Sequence, residues 1–407
     1  MANLWKTNPL SGVTLARGQG ATVWDTNGKP YLDLLSGTWS NGLGHAHPRW
    51  VEAIQKQASK LVHIGAAFHT TEVEDALTEL GEILPPELNH VVFVNTGSEA
   101  VDLALKMAHA ATGRREVAAT QQGYYGATTY TLALSDSKQA ASYLPWRGNV
   151  RWLPTPHCRC CTLGHGPSCG GEFRCLDPLA ELAASGKSEV AAVLYLPVLG
   201  SGIIVPPAGY AKRLKELSER CGALLIAEEV TTGMGRTGRW FGFEHEGIIP
   251  DILVIGKAIG GGLPIAAVVT TEDVQQRCLG VLTHVQSHQN DPLSGRVAAT
   301  VISIMQDEHL VERSAEMGLY LMNRLESIRQ SGPWITDVRG RGTMVGVELH
   351  PEWQPYGANV AQRLLEAGFI ADYHAATGTF RLFPPYVITR EQVDAFTACF
   401  AKILLEI

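Results

Sequence analysis

Short apolar runs rich in β-branched residues alternate with amphipathic stretches between about residues 90 and 270. Six runs are predicted strands: HVVFV (90–94), EVAAT (116–120), VAAVLYL (190–196), ALLIA (223–227), DILVIG (251–256) and IAAVV (265–269). Between them, apolar residues recur at helical spacing with polar residues on the other side, as in the segment 101–108. This alternation predicts a mostly parallel sheet covered by crossover helices.

The two ends of the chain have a different pattern. Two helical patterns, near 293–306 and 309–330, precede the short strands TMVGVEL and TFRLF and a closing helix from about residue 390, which together predict an α+β unit. The N-terminal residues hold a hairpin turned at Asn27 and Gly28 but too little apolar mass to fold alone. We therefore predict a large α/β domain over 51–290, a small α+β domain over 291–407, and an N-terminal segment, 1–50, that packs with the small domain.

Composition and charge narrow the class of protein. The 407 residues are 45% hydrophobic and only 18% charged, which excludes intrinsic disorder and favours an oligomer with a large buried interface. The net charge is −7 and no basic run is present, so we expect no nucleic-acid partner. Pro and Gly interrupt the longest uncharged stretch, so no membrane segment is expected. The N-terminal residues show no export or organelle signal, which favours the cytoplasm.

Candidate chemistry lies at the carboxyl ends of three predicted strands. Gly97 and Ser98 open a helix, whose free amides and positive dipole end suit a phosphate; Ser98 as a simple N-cap is the alternative. Glu228 ends one strand, and Lys257 ends another, where an ammonium is costly to bury unless it is paired, neutral or covalently used. Exposure of Lys257 at the surface is the alternative. Ligands gather at the carboxyl ends of parallel strands, so the three elements predict one crevice.

A phosphate site, a carboxylate and a lysine in one crevice are the groups that pyridoxal 5′-phosphate (PLP) requires. The lysine forms the Schiff base, the carboxylate keeps the pyridine nitrogen protonated so that the ring accepts electrons, and the helix end holds the phosphate. Glu229 cannot replace Glu228 in this role, because neighbouring strand residues face opposite ways.

Seven ordered motifs resemble those of the class III PLP-dependent aminotransferases, a family that includes ornithine, 4-aminobutyrate and omega-amino acid aminotransferases and dialkylglycine decarboxylase. The motifs are NGLGHAHP (41–48), NTGSEA (95–100), GYYG (123–126), EEVTTGMGRTGRWFGFE (228–244), PDILVIGKAIGGGLP (250–264), DVRGRGTMVGVEL (337–349) and FRLFPPYVIT (380–389). The resemblance covers essentially the whole chain. It implies the α/β fold called fold type I among PLP-dependent transferases. In this fold the large domain has a mostly parallel seven-stranded sheet, and a small α+β domain is built from both termini. It also implies a homodimer or a dimer of dimers.

The resemblance implies a role for each matching position. Lys257 would carry the cofactor as an aldimine and move the proton. The other expected cofactor contacts are Gly97 and Ser98 at the phosphate, Tyr124 and Val230 on the two ring faces, Glu228 at the pyridine nitrogen, Thr231 at the phenolic oxygen, and Ser287 at the phosphate of the neighbouring subunit. Arg381 falls where the family binds the substrate α-carboxylate. Trp39 would line the substrate pocket, with core packing as the alternative.

Four positions around the expected cofactor site depart from the family's pattern. Glu228 replaces an Asp, Thr231 replaces a Gln, Tyr125 replaces a His, and Leu196 replaces the Glu of a Glu-Pro pair. Leu196 cannot pair with Arg381, so we expect Arg381 to lack an anionic partner; the alternative is that Thr231, Tyr125 or a loop from the other subunit supplies a different partner. Every productive ligand would then bring a carboxylate to Arg381.

The segment 157–175 holds five of the eight cysteines. A zinc site drawn from them would order this loop. Their spacing is not a paired CxxC pattern, however, so reduced thiols without a metal are the favoured interpretation. The candidate ligands are Cys158, Cys160, Cys161, Cys169 and Cys175, with His157 and His165.

The expected function is transfer of an amino group from an amino acid or amine donor to a 2-oxo acid acceptor. The alternatives are an amino acid racemase or epimerase, a dialkylglycine-type decarboxylase, and a homologue that binds PLP without turnover. Retention of Lys257, Glu228 and Arg381 argues against the last of these.

Overall fold

The computed structural model describes residues 11–135, 142–144, 149–161, 163 and 171–407. The strands are β1 Leu15–Gln19, β2 Thr22–Asp25, β3 Pro30–Asp33, β4 His90–Val94, β5 Glu116–Thr120, β6 Val150–Leu153, β7 Val190–Tyr195, β8 Leu224–Glu229, β9 Ile252–Ile255, β10 Ala266–Thr270, β11 Ile335–Arg341, β12 Met344–Leu349, β13 Phe369–Ile370, β14 Asp372–His374 and β15 Thr379–Leu382. The helices are α1 Pro48–Ala58, α2 Thr71–Ile83, α3 Gly97–Thr112, α4 Thr129–Leu134, α5 Asp177–Ser185, α6 Tyr210–Arg220, α7 Glu272–Cys278, α8 Pro292–Asp307, α9 Leu310–Ser331, α10 Gly357–Glu366 and α11 Arg390–Leu405.

The largest sheet has seven strands in the order β4-β10-β9-β8-β7-β5-β6. Strand β10 runs antiparallel to both of its neighbours, and the remaining pairs are parallel. Strands β7, β8 and β9 are buried along their whole length, because helices cover both faces, and this is why they read as unbroken apolar runs. The predicted α/β fold with a mostly parallel seven-stranded sheet is confirmed. Strand β6 has no counterpart among the predicted strands.

The crossover helices bury one apolar face each. In α3 this face includes Val101, Ala104, Leu105 and Ala108. The helix ends at Gly113, whose φ of 69° is a left-handed conformation that glycine adopts without strain. No helix in the described ranges has both the length and the apolar character needed to cross a bilayer.

The two ends of the chain meet in smaller sheets with the orders β1-β2-β3-β13 and β11-β12-β15-β14. Strand β3 pairs in parallel with β13, so a strand of the N-terminal hairpin is hydrogen-bonded to the C-terminal region. Leu32 and Leu34 share one apolar core with Leu321 of α9 and Phe396 of α11. The hairpin is thus built into the C-terminal unit.

Helix α8 bears on the predicted domain division at residue 290. Its buried residues, including Val297 and Ile302, belong to the core beneath the seven-stranded sheet, and the helix packs on α1 and α2. Helix α9 begins in that same core, with Leu310 and Val311, and contributes Met317 and Leu321 to the C-terminal core. We therefore propose that the division between the domains falls after α8 rather than at residue 290.

Three elements converge at the carboxyl ends of β8 and β9. Gly97 begins α3, Val230 follows β8, and Gly256 follows β9. A Cβ on Gly97 would lie 2.7 Å from Val230 Cγ1, and one on Gly256 would lie 3.0 Å from the same atom. Both glycines are therefore required for this close approach. The contacts place the start of α3 and the ends of both strands at one crevice.

Candidate active site

Lys257 lies at the end of β9 in a strained conformation. Its φ of 48° is in the left-handed region, which is costly for a residue with a side chain and is typical of functional sites. Its Nζ donates a hydrogen bond to Thr231 Oγ1 at 2.8 Å. Burial lowers the pKa of Lys257 to about 8; Glu228 opposes this shift, while Arg236 and Arg381 add to it. With a pKa of about 8, Lys257 has a larger neutral fraction near neutral pH than an ordinary lysine has.

Glu228 is a buried carboxylate that accepts few hydrogen bonds. Its Oε1 accepts a hydrogen bond from the Val230 amide at 3.2 Å, which is the one bond that the described residues give this side chain. Burial raises the pKa of Glu228 to about 7, although the charge of Lys257 opposes the shift. Such a half-satisfied acid fits a ligand with an N–H donor.

The neighbouring Glu229 faces the other way, as expected from strand geometry. Its carboxylate accepts bonds from the amides of Gly242 and Phe243 and from the Thr232 hydroxyl, at 2.7 to 2.8 Å. Glu229 is therefore satisfied within the core and holds the loop after β8. The crevice has Glu228 alone as its strand-end acid.

The N-terminus of α3 is free to bind an anion. The N-cap is Thr96 rather than Ser98, and a capping box joins it to Glu99. Ser98 Oγ instead accepts a hydrogen bond from the Ala127 amide at 2.9 Å. In the part of the chain described, the Gly97 and Ser98 amides have no acceptor, so they remain available with the positive end of the helix dipole.

Two tyrosines follow β5 in different environments. Tyr125 is buried, and its hydroxyl accepts a hydrogen bond from the Thr120 amide at 2.9 Å. Tyr124 is 57% exposed, and its pKa is raised by partial burial and by the charge of Glu228. Tyr124 therefore presents an open ring within electrostatic reach of Glu228. Tyr125, which replaces the family's His, is part of the core.

Trp39 ends a left-handed turn of four residues. Ser36, Gly37, Thr38 and Trp39 have φ values of 48°, 57°, 61° and 71°. Such a run is unfavourable for L-residues, so other groups must hold it. The Asp33 carboxylate accepts bonds from the amides of Leu35 and Gly37, at 2.9 and 3.2 Å, and the Ser36 hydroxyl donates to the Phe383 carbonyl.

This turn makes the Trp39 ring one wall of the crevice. The ring stacks on Phe383 with centroids 4.1 Å apart. Its centroid lies 4.9 Å from Lys257 Nζ and 4.9 Å from Arg381 Cζ. Trp39 therefore joins the core on one side and lies between the lysine and the arginine on the other.

Arg381 has an anionic partner, which corrects the expectation drawn from Leu196. Its Nε and Nη2 donate to Asp372 Oδ2 at 2.6 and 2.5 Å. Its Nη1 donates to the Gly200 carbonyl at 3.3 Å. Leu196 is buried in the core of the large sheet. The arginine is paired because β14 and β15 are antiparallel neighbours with Asp372 directly opposite Arg381.

Ser287 is exposed, in the segment between α7 and α8. Close to it in sequence, Asp291 bonds the Nδ1 atoms of His63 and His288 at 2.5 and 2.6 Å. Within the described ranges, these three residues are the group whose ligand atoms lie close enough together to hold a metal ion. The two imidazoles already satisfy the carboxylate of Asp291.

The cysteine segment does not form such a group in its described part. Cys158, Cys160, Cys161 and Cys175 are not among the clustered ligands. Cys169 lies outside the described residues. The zinc hypothesis therefore gains no support from the described cysteines.

Comparison with known proteins matches this arrangement to one family. The family model for class III aminotransferases covers residues 3–404. An acetylornithine aminotransferase from Methanothermobacter thermautotrophicus is 34% identical over 393 residues, 96% of this chain and 94% of the relative.

Two solved structures have a similar fold. An ornithine aminotransferase from Toxoplasma gondii, with partial occupancy of PLP at its active site, has a TM-score of 0.88 and 29% identity, and the match covers 98% of this chain and 91% of that chain. A thermostable omega transaminase mutant from Pseudomonas jessenii has a TM-score of 0.92 and 26% identity, covering 100% and 96%. With a family match over nearly its whole length, the chain belongs to the class III aminotransferases.

Proposed function

We propose that this aminotransferase uses PLP to move an amino group from an amino acid or amine donor to a 2-oxo acid. The observation that carries the proposal is the crevice itself. It holds a lysine with a lowered pKa, a buried acid with a raised pKa, and a helix N-terminus with free amides. Each group is suited to a different part of PLP.

The residues of the crevice fit the cofactor group by group. The Gly97 and Ser98 amides would bind the phosphate. Glu228 would accept a hydrogen bond from the pyridine nitrogen, and this N–H would supply the donor that the carboxylate lacks. When bound, PLP supplies an aldehyde that amines attack and a ring that withdraws electrons from the reacting carbon.

Tyr124 and Val230 would contact the two faces of the ring. Tyr124 offers an open aromatic face. Val230 lies close to Gly97 and Gly256, and a Cβ on Gly97 would lie 2.7 and 2.8 Å from its two methyl carbons. A ring held between them stays aligned with Glu228.

Lys257 moves the proton. Above a pH of about 8 its amine is largely neutral, so Lys257 Nζ would hold the cofactor and, when free, could accept a proton from the donor's reacting carbon. Lys257 Nζ would then be the group that gives this proton back. Thr231 Oγ1, 2.8 Å from Nζ, orients the amine. Here Thr231 acts on Lys257, in addition to the contact with the phenolic oxygen expected from the sequence.

Arg381 and Trp39 would form the substrate side. Arg381 binds the carboxylate of the donor, and the Trp39 ring fixes the direction of the guanidinium. Relatives named acetylornithine and ornithine aminotransferase suggest donors of this class.

The direct test is a donor assay with the PLP-loaded enzyme. N-acetyl-L-ornithine, L-ornithine and 4-aminobutyrate are each supplied with 2-oxoglutarate, and glutamate is measured. We expect glutamate from at least one donor. Inversion of the donor or release of CO2 without glutamate would instead support the racemase or decarboxylase alternative.

We further propose that the enzyme is a homodimer in which Ser287 reaches the phosphate of the neighbouring subunit. The supporting observation is an exposed apolar segment around this residue. Leu279, Val281 and Val285 are all exposed, Val285 by 84%. An apolar surface of this kind is typical of an interface.

Substituting Val281→Asp and Val285→Asp together should weaken the dimer by about tenfold or more, because two carboxylates would be buried at the interface. Sedimentation velocity over a concentration series measures the dissociation constant. Leu405→Asp is the matched control, since Leu405 is also an exposed apolar residue but lies at the C-terminal helix. A wild-type monomer with full activity would contradict the proposal.

A further inference from the structure

The pair formed by Arg381 and Asp372 occupies the arginine that the substrate carboxylate needs. Two guanidinium donors of Arg381, Nε and Nη2, share one oxygen of Asp372, and Nη1 bonds the Gly200 carbonyl. The bonds to Asp372 are charge-assisted and short, so they are the strong ones. A substrate carboxylate that binds the Nε–Nη2 edge of the guanidinium must therefore compete with a carboxylate that belongs to the chain.

The pair is placed so that competition can occur. The side chain of Asp372 is 32% exposed and that of Arg381 is 17% exposed, so water screens the interaction and can replace it. Arg381 keeps two other contacts when Asp372 leaves, the Gly200 carbonyl and the face of Trp39. The guanidinium would thus stay in place while its anion is exchanged.

We propose that Asp372 is a specificity-determining residue, which competes with the substrate carboxylate for Arg381 and so widens the donor range to amines without a carboxylate. This inference rests on the proposed role of Arg381 in substrate binding. With Asp372 present, Arg381 is neutralised even when the donor brings no anion. Without Asp372, such a donor would leave a partly buried cation unpaired.

The same competition weakens the binding of carboxylates. Only the fraction of molecules in which Arg381 has left Asp372 can accept the substrate carboxylate, and the apparent dissociation constant rises in inverse proportion to that fraction. Removing the charge of Asp372 should therefore tighten carboxylate binding and disfavour donors without a carboxylate. If the ion pair were purely structural, removing it would change neither the affinity for carboxylates nor the use of donors without a carboxylate.

Propionate provides a test that does not depend on turnover. Isothermal titration of the PLP-loaded protein should show a Kd for propionate about tenfold lower in Asp372→Asn than in wild type. Arg381→Met should abolish this binding. Asp372→Glu, which restores the charge, should return the Kd towards the wild-type value.

Asp337→Asn is the matched control. Asp337 lies on the same small sheet, outside the proposed substrate site, and pairs with Arg339 at 3.0 Å and with Arg159 at 2.6 Å. Its substitution should leave the propionate Kd within about twofold of wild type. An unchanged Kd in Asp372→Asn, or an equal change in Asp337→Asn, overturns the proposal.

The kinetic comparison uses L-ornithine and its decarboxylated form, putrescine. In Asp372→Asn, KM for L-ornithine should fall about tenfold at similar kcat, and the preference for L-ornithine over putrescine should rise by at least that factor. An unchanged preference refutes the inference. If the wild type transfers amino groups from no donor at all, the proposed function fails, and the propionate titration still decides whether Asp372 competes for Arg381.

Discussion

Replacing Lys257 by Ala is expected to lower the rate of amino transfer by about 10³-fold or more. The variant has no amine to hold the cofactor and none to move the proton. Steady-state formation of glutamate measures the loss. Peptide mass analysis after borohydride reduction should place the cofactor on Lys257 in the wild type, and its recovery on another lysine would contradict the assignment.

Lys257→Arg is the control for charge. It retains a cation beside Glu228, but a guanidinium does not lose its proton near neutral pH, so the same loss is expected. The lowered pKa gives a second readout in the cofactor-free protein. Labelling of Lys257 by acetic anhydride should rise as the pH increases through about 8, because the neutral amine is the reactive form. Arg at this position with a tenth of wild-type activity would refute the role.

Glu228→Gln is expected to slow amino transfer by about 10²-fold or more, because a neutral amide cannot stabilise a positive charge on the pyridine nitrogen. The change is nearly isosteric, so the packing of β8 and the bond from the Val230 amide are retained. Single-turnover loss of the donor measures proton removal directly. Turnover close to wild type would show that Glu228 is not the partner of the ring.

Glu228→Asp and the pH profile provide the controls. Asp keeps the charge on a shorter arm and should retain more activity than Gln. In the cofactor-free protein the pKa of Glu228 is raised to about 7. The side chain is therefore a charged carboxylate above that pH, and it gains a proton and loses its charge as the pH falls through about 7. Infrared titration of the carboxylate should show this step in the wild type, and the step should be absent in Glu228→Gln.

The fold was predictable because its signals are local. The strands β7, β8 and β9 are buried on both faces, so each appears in the sequence as an unbroken apolar run. Strand β6 gives a weaker signal, since Arg151 and Trp152 within it are only partly buried and its apolar run is short. Helix α8 was identifiable as a helix, but which core it joins depends on contacts with α1 and α2 that are distant in sequence.

The crevice was predictable in part for the same reason. Lys257 and Glu228 end strands of the same sheet, and this alone brings them to one edge. Asp372 could not be predicted as the partner of Arg381 from Leu196, because the residue at position 196 says nothing about the other groups that surround the guanidinium. The hairpin β14–β15 contained the missing information, since its short connection at 375–378 sets Asp372 opposite Arg381.

The left-handed turn at Ser36–Trp39 determines when the crevice can be completed during synthesis. The turn is held by Phe383, through the Ser36 hydroxyl, the stacked Trp39 ring and the bond from the Phe383 amide to the Leu34 carbonyl at 2.7 Å. Ribosomes add about 5–20 residues per second, so the N-terminal segment waits tens of seconds for this partner. A nascent chain that lacks residue 383 has Lys257 and Glu228 but no Trp39 wall. Phe383 thus cannot hold residues 36–39 in their final conformation until more than 340 further residues have been added.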